Sequence, residues 1–241
     1  MKYDRPAADW NEALPIGNGR MGAMVFGHPA KERVQLNEDS LWYGGPRDRN
    51  NPDAAKVLPE IRRLIFAGRP REAERLAALG LSGVPETQRH YEPLGNLLLA
   101  FEGIDPEAVG DYERKLDLER AVVTVEVTHR GVRHRREYYA SYPDQAVVIR
   151  LTADRPGQIS LTARLERARW RYVDRTGRSG TDAIYMTGAS GGADGVRFAA
   201  AAAAKAEGGR LDAVGEHLVV EGADSATLVV AAATSFRERE P

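Results

Sequence analysis

From residue 122 to residue 233 the chain is a succession of short β-rich runs with nothing helical between them. That spacing narrows the available folds more than any single motif does. Runs at 122–128, 132–139, 146–152, 159–165, 184–187, 218–221 and 227–233 alternate apolar with polar residues or are rich in Val, Ile, Leu and Thr. Turn formers separate them: His129-Arg130-Gly131, Asp154-Arg155-Pro156-Gly157 and the glycine-rich stretch 188–195. Strands this close leave no room for crossover helices, so antiparallel pairing is expected, in a mainly β chain built as a large β-sandwich. Residues 199–204 are all alanine, whose intrinsic preference is helical. A strand is still expected there, because Val196 and Phe198 lead into it and Gly208-Gly209 closes it like a hairpin turn.

Helical signal is confined to a small insertion around residues 52–80. Asn51-Pro52-Asp53 offers an N-cap, a first-turn proline and an early acid. Leu58, Ile61, Leu64 and Ile65 follow at helical spacing, and Gly68 ends the run. Pro59 lies inside it, so a kink or a restart is expected. A second helix is expected over 70–79, ended by Gly80.

Gly17, Gly19 and Gly22 spell G-x-G-x-x-G, and the acidic pair Glu38-Asp39 follows at a distance typical of a dinucleotide-binding unit. The context argues against that reading. Pro15 opposes a central strand before the glycines, and Gly27-His28-Pro29 would break a helix after them. Between Gly22 and Glu38 there is no room for both a crossover helix and a strand. A β-hairpin, 20–26 with 33–36, fits better, its glycines serving close packing or positive φ.

The 241 residues are 42% hydrophobic, enough for a substantial core. Charges nearly cancel, with 34 Lys+Arg against 35 Asp+Glu and a net charge of −1, which disfavours a nucleic-acid partner. The absence of cysteine excludes disulfides, thiol catalysis and Cys-ligated zinc. The five histidines are scattered without metal-ligand spacing, so no metal is expected. The opening MKYDRPAADW has no apolar signal region, and the longest apolar runs, such as 228–233, are too short to span a bilayer. No membrane partner and a cytoplasmic location are the expectation. The basic run 130–136 beside Tyr138, Tyr139 and Tyr142 invites a single-strand nucleic-acid reading. On a strand, however, Arg133 and Arg135 face one way while His134 and Arg136 face the other, which splits the charge.

Several unusual blocks occur together. WNEALPIGNGRMGAMVFG (10–27) and VQLNEDSLWYGGP (34–46) are followed by IRRLIFAG (61–68), YEPLGNLLL (91–99) and YERKLDLERA (112–121). RREYYASYPDQAVVIRL (135–151) and AAATSF (231–236) complete the series. In this order they resemble the amino-terminal part of glycoside hydrolase family 95, the α-L-fucosidase family. The resemblance implies one domain over 1–241, a large antiparallel sandwich of the supersandwich kind, preceding an (α/α)6 catalytic barrel. It further implies hydrolysis of terminal α-L-fucosyl linkages with inversion, without a cofactor, in the full enzyme. No position here matches the family's catalytic residues, so this chain alone is expected to be inactive, with the barrel and an oligosaccharide or glycan substrate as its partners.

Adjacent carboxylates on extended chain point to opposite faces, so Glu38 and Asp39 are not expected to act as a catalytic dyad. One reading has Asn37, Glu38 and Asp39 pin a loop by side-chain-to-backbone bonds. The other makes Asn37, Glu38 and Trp42 a lip over the barrel's active-site mouth, a planar aromatic beside fixed hydrogen-bonding groups. Asn18 and Arg20 either bridge the sandwich to the barrel or cover their own hairpin. A free-standing carbohydrate-binding sandwich is the alternative function; a large exposed apolar patch would favour the barrel-supporting one.

Overall fold

In the computed structural model, whose described residues are 1–167, 172–191 and 194–236, the period-two pattern becomes two stacked antiparallel sheets. In chain order the strands are β1 (Lys2–Tyr3), β2 (Leu14–Gly17), β3 (Met21–Val25), β4 (Lys31–Glu38), β5 (Gly95–Phe101) and β6 (Val109–Asp117). Then come β7 (Val122–His129), β8 (Val132–Ser141), β9 (Ala146–Ala153), β10 (Ile159–Glu166) and β11 (Val173–Ser179). The last are β12 (Ala183–Ala189), β13 (Arg197–Glu207), β14 (Arg210–Val214), β15 (His217–Ala223) and β16 (Ser225–Thr234). One sheet has nine strands in the order β1-β6-β7-β8-β9-β16-β13-β12-β11, the other seven in the order β14-β15-β10-β5-β4-β3-β2. Their inner faces interdigitate, with Leu36, Leu97, Leu99 and Leu161 of one sheet meeting Val125, Tyr138, Ile149, Phe198 and Leu228 of the other in a single core.

The alanine run is a strand, as expected. In β13, Ala200, Ala202 and Ala204 point into the core while Ala201 and Ala203 face outward. The strand lies between β12 and β16 and is laddered to both. Two ladders and an inward face outweigh a helix preference of a few tenths of a kcal/mol per residue. Gly208-Gly209 is not a hairpin turn between paired strands. It carries the chain from the nine-stranded sheet to β14 in the other sheet, both glycines at positive φ.

The glycine motif is the β2–β3 hairpin: Gly17 pairs with Gly22, and Gly19 turns the chain at φ 94°. A strand does precede the glycines, but it is the sheet's edge, where exposed Pro15 gives up no needed ladder bond. The expected hairpin of 20–26 with 33–36 is β3 with β4.

Two helices follow β4: α1 (Ala54–Phe66) and α2 (Pro70–Gly80). α1 begins after Asp53, whose side chain makes no cap bond and pairs instead with Lys56. The helix runs through Pro59 without a restart; that residue faces solvent, where the carbonyl it leaves unpaired can be hydrated. Gly68, at φ 71°, closes α1 while the Arg69 N–H donates to the Leu64 carbonyl. The two helices share a small cluster of their own around Ile61, Leu64 and Ala73.

The basic run splits as its alternation predicts. Arg135 pairs with Glu126 and Glu137 on the surface. Arg136 lies inside, 3.5 Å over the Phe101 ring, donating to the carbonyls of His28 and Pro29. Buried Glu32 sits in the same polar nest. It accepts from the backbone N–H groups of Gly27 and Arg33 (2.9 and 3.0 Å) and from the Tyr138 hydroxyl (3.2 Å). Burial pushes its carboxyl up to about 7, against the opposing pull of Arg136 and these hydrogen bonds.

Candidate functional site

The five residues singled out in the sequence form one connected group at the end of the sandwich away from Glu32. Asn18 closes the β2–β3 turn, its Oδ1 accepting from the N–H groups of Arg20 and Met21 at 3.1 and 2.8 Å. Its Nδ2 donates to the Ser141 carbonyl at the end of β8. Arg20 does more than cover its own hairpin. It reaches from the β2–β3 turn to the other sheet, donating to the carbonyl of Ala232 (2.7 Å) and to the side chain and carbonyl of Gln145 (2.8 and 2.9 Å). Its guanidinium also lies 3.6 Å from Glu38.

Glu38 and Asp39 take opposite faces: Glu38 is 1% exposed, whereas Asp39 is exposed to solvent. Glu38 accepts from the Ser40 N–H (2.8 Å) and hydroxyl (2.6 Å), and that hydroxyl bonds Thr234 of β16. The carboxylate therefore pins the chain leaving β4 to the opposite sheet. Trp42, 39% exposed, donates its indole N–H to the Asp39 carbonyl at 3.2 Å and stands edge-on to Tyr91, 5.8 Å between centroids. The Tyr91 hydroxyl donates to Asn37 Oδ1 at 2.9 Å. Burial and the charge of Glu38 push that phenol up to about 12, so it stays a donor at neutral pH. Beside it, Tyr43 stacks on His90 at 5.1 Å.

Two cavities flank this aromatic group. One, of about 470 Å³, is lined by Ser40, Trp42, Tyr43, Arg89, Val196 and Phe236 among others. The other, of about 250 Å³, lies over Gln35, Tyr91 and Asn96, beside the buried Glu92–Arg167 ion pair. The sequence reading did not pick out Tyr91, Gln145 or Thr234. All three lie in blocks that carried the resemblance, 91–99, 135–151 and 231–236, but Gln145 and Thr234 meet Arg20 and Ser40 only through the fold. Among the described residues no cluster of three or more His, Asp or Glu side chains could hold a metal ion, and no helix is long and apolar enough to cross a membrane.

A second feature is the outer face of the nine-stranded sheet. Tyr139, Val148, Val229, Ala203 and Ala183 lie side by side on five neighbouring strands. The next row along β16, β13 and β12 is Ala231, Ala201 and Tyr185, and the one after it Ala233, Ala199 and Thr187. The residues named carry no charge; Arg150 and Lys205 bound them on one side, Arg197 on the other, and Arg175 stands opposite Thr187 on β11. Val229 is 39% and Tyr139 37% exposed. A smooth apolar patch across five strands is the kind of surface that another protein surface covers.

Comparison with known proteins agrees with this architecture. The chain is 37% identical over 161 residues to alpha-L-fucosidase 2 of Arabidopsis thaliana, an overlap covering 66% of this chain and 19% of that protein. It is 34% identical over 161 residues to an Aspergillus oryzae protein carrying the name alpha-fucosidase A, covering 63% of this chain and 21% of the relative. The matches thus span about a fifth of the length of these curated relatives. A solved structure described as a kojibiose phosphorylase from the human microbiome shares the fold with a TM-score of 0.50 at 10% identity, over 91% of this chain and 30% of that one. The profile of "Glycosyl hydrolase family 65, N-terminal domain" matches residues 1–239, and the chain belongs to that family of glycoside hydrolase amino-terminal domains.

Proposed function

We propose that this chain is the non-catalytic β-sandwich of an α-L-fucosidase-like inverting glycoside hydrolase of the family 95 kind, working within a longer protein. Its outer apolar face packs on the catalytic (α/α)6 barrel, and its Trp42 end lines the barrel's mouth. The observation that carries this reading is the charge-free face formed by Tyr139, Val229, Ala201 and Ala203, which a free-standing module has no reason to keep smooth and apolar. The names of the fucosidase relatives, and their greater length, support the substrate class and a barrel partner.

In this arrangement Trp42 and Asn37 touch the glycan, while Glu38 and Arg20 hold the loop beneath them. No carboxylate of this chain cleaves the glycosidic bond. The 241-residue chain, shown by circular dichroism to be a folded β protein, is therefore expected to give no turnover of an aryl α-L-fucoside between pH 4 and 8. Turnover that survives purification to homogeneity would place the chemistry inside these residues and overturn the proposal.

A further inference from the structure

The outer face of the seven-stranded sheet differs in chemistry from its counterpart. Gln35 of β4 and Asn96 of β5 are directly opposed across the ladder, and both point out of the sandwich, half-buried in the floor of the 250 Å³ cavity. Neither carboxamide makes a hydrogen bond to any described residue. Asn37, two residues along β4, spends its oxygen on the Tyr91 hydroxyl, and Tyr91 forms part of the cavity wall. His90, stacked on Tyr43, stands at the rim.

Two opposed carboxamides offer donors and acceptors together at a fixed separation and carry no net charge. That set matches vicinal hydroxyls, each of which both donates and accepts. The nearby charges are paired off, Glu92 with Arg167 in the cavity wall and Glu166 with Arg164 on the neighbouring strand, so the place favours a neutral ligand over an ion. A neighbouring aromatic ring supplies the flat apolar contact that a pyranose C–H face needs.

We propose that the cavity over Gln35 and Asn96 is a subsite for one neutral glycosyl unit, separate from the Trp42 lip. Gln35 and Asn96 bind adjacent hydroxyls, and Tyr91 walls the ring. The inference does not rest on the barrel-docking reading: it concerns the opposite sheet and can fail alone.

The test is a ¹H–¹⁵N NMR titration of the chain with L-fucose, with glycerol as the control polyol. Expected are saturable shifts of the Gln35 and Asn96 side-chain NH₂ signals and of the Gly95 amide, with millimolar affinity. Gln35→Ala and Asn96→Ala each weaken binding about fivefold, the cost of one lost hydrogen bond. Both carboxamides sit on the solvent side of their strands, so the two variants keep the parent backbone spectrum. Shifts that grow linearly, that glycerol reproduces, or that persist undiminished in the Gln35→Ala/Asn96→Ala double variant would overturn the proposal.

Discussion

The two outer faces of this sandwich are built from strands of similar length yet differ in kind. The seven-stranded sheet turns out Lys31, Arg33, Gln35 and Asn37 along β4, a face that water can cover at no cost. At its centre the nine-stranded sheet turns out Ala199, Ala201, Ala203 and Val229, a face that leaves apolar surface wet. Neither choice affects the core, since β4, β13 and β16 send their alternate residues inward regardless. The difference therefore says little about folding; under the proposals above, one face meets solvent and a small polar ligand and the other meets protein.

The comparison sharpens when the inward residues of the same strands are changed. Glu32 and Gln35 sit three residues apart on β4, one facing in and one facing out. The folded chain holds a proton on Glu32 up to about pH 7, whereas the unfolded chain releases it near 4.5. Its contribution to stability is therefore fully present below the unfolded value and is lost as pH rises through about 7. Glu32→Gln cannot titrate. Urea unfolding should show the variant gaining on the parent between pH 5 and 8, by up to roughly 3 kcal/mol. A difference that stays constant across that window would mean that Glu32 is ionised throughout.

A smaller effect is expected in β13, where neighbouring alanines test the two faces directly. Ala202→Leu overfills the core and should cost about 1–3 kcal/mol by denaturant unfolding. Ala201→Leu adds the same atoms to the outer face and should stay within about 0.5 kcal/mol of the parent. Equal costs would show that the outer alanines are packed in the isolated chain and that the face is not free.

Much of this molecule was legible in its sequence because period-two alternation and turn formers report directly on a two-layered sandwich. Strands β7 to β10, β12, β15 and β16 follow from that pattern, and so does the helical pair. β6 and β11 carry too many charged or polar residues to stand out, and β2 hides behind Pro15, a residue tolerated only because the strand is an edge. Gly208-Gly209 reads locally as a hairpin; β14 pairs instead with the following β15, and the sheet that pair joins is decided by the distant β10. The site shows the same division. Asn18, Arg20, Asn37, Glu38 and Trp42 stood out through their unusual blocks, but their bonds to Ser141, Gln145, Ala232 and Tyr91 cross from 54 to 212 residues of chain. No local pattern encodes contacts of that length.

The central claim is that the smooth face of the nine-stranded sheet exists to be covered. Its most direct test is the Ala201→Arg/Val229→Glu double variant, made both in this chain and in a chain extended by the proposed catalytic barrel. The account predicts that the isolated sandwich unfolds within about 0.5 kcal/mol of its parent. It also predicts that the extended protein loses most of its fucosidase turnover, with the sandwich released by limited proteolysis. An extended protein that keeps full activity and protease resistance with both charges in place would contradict it.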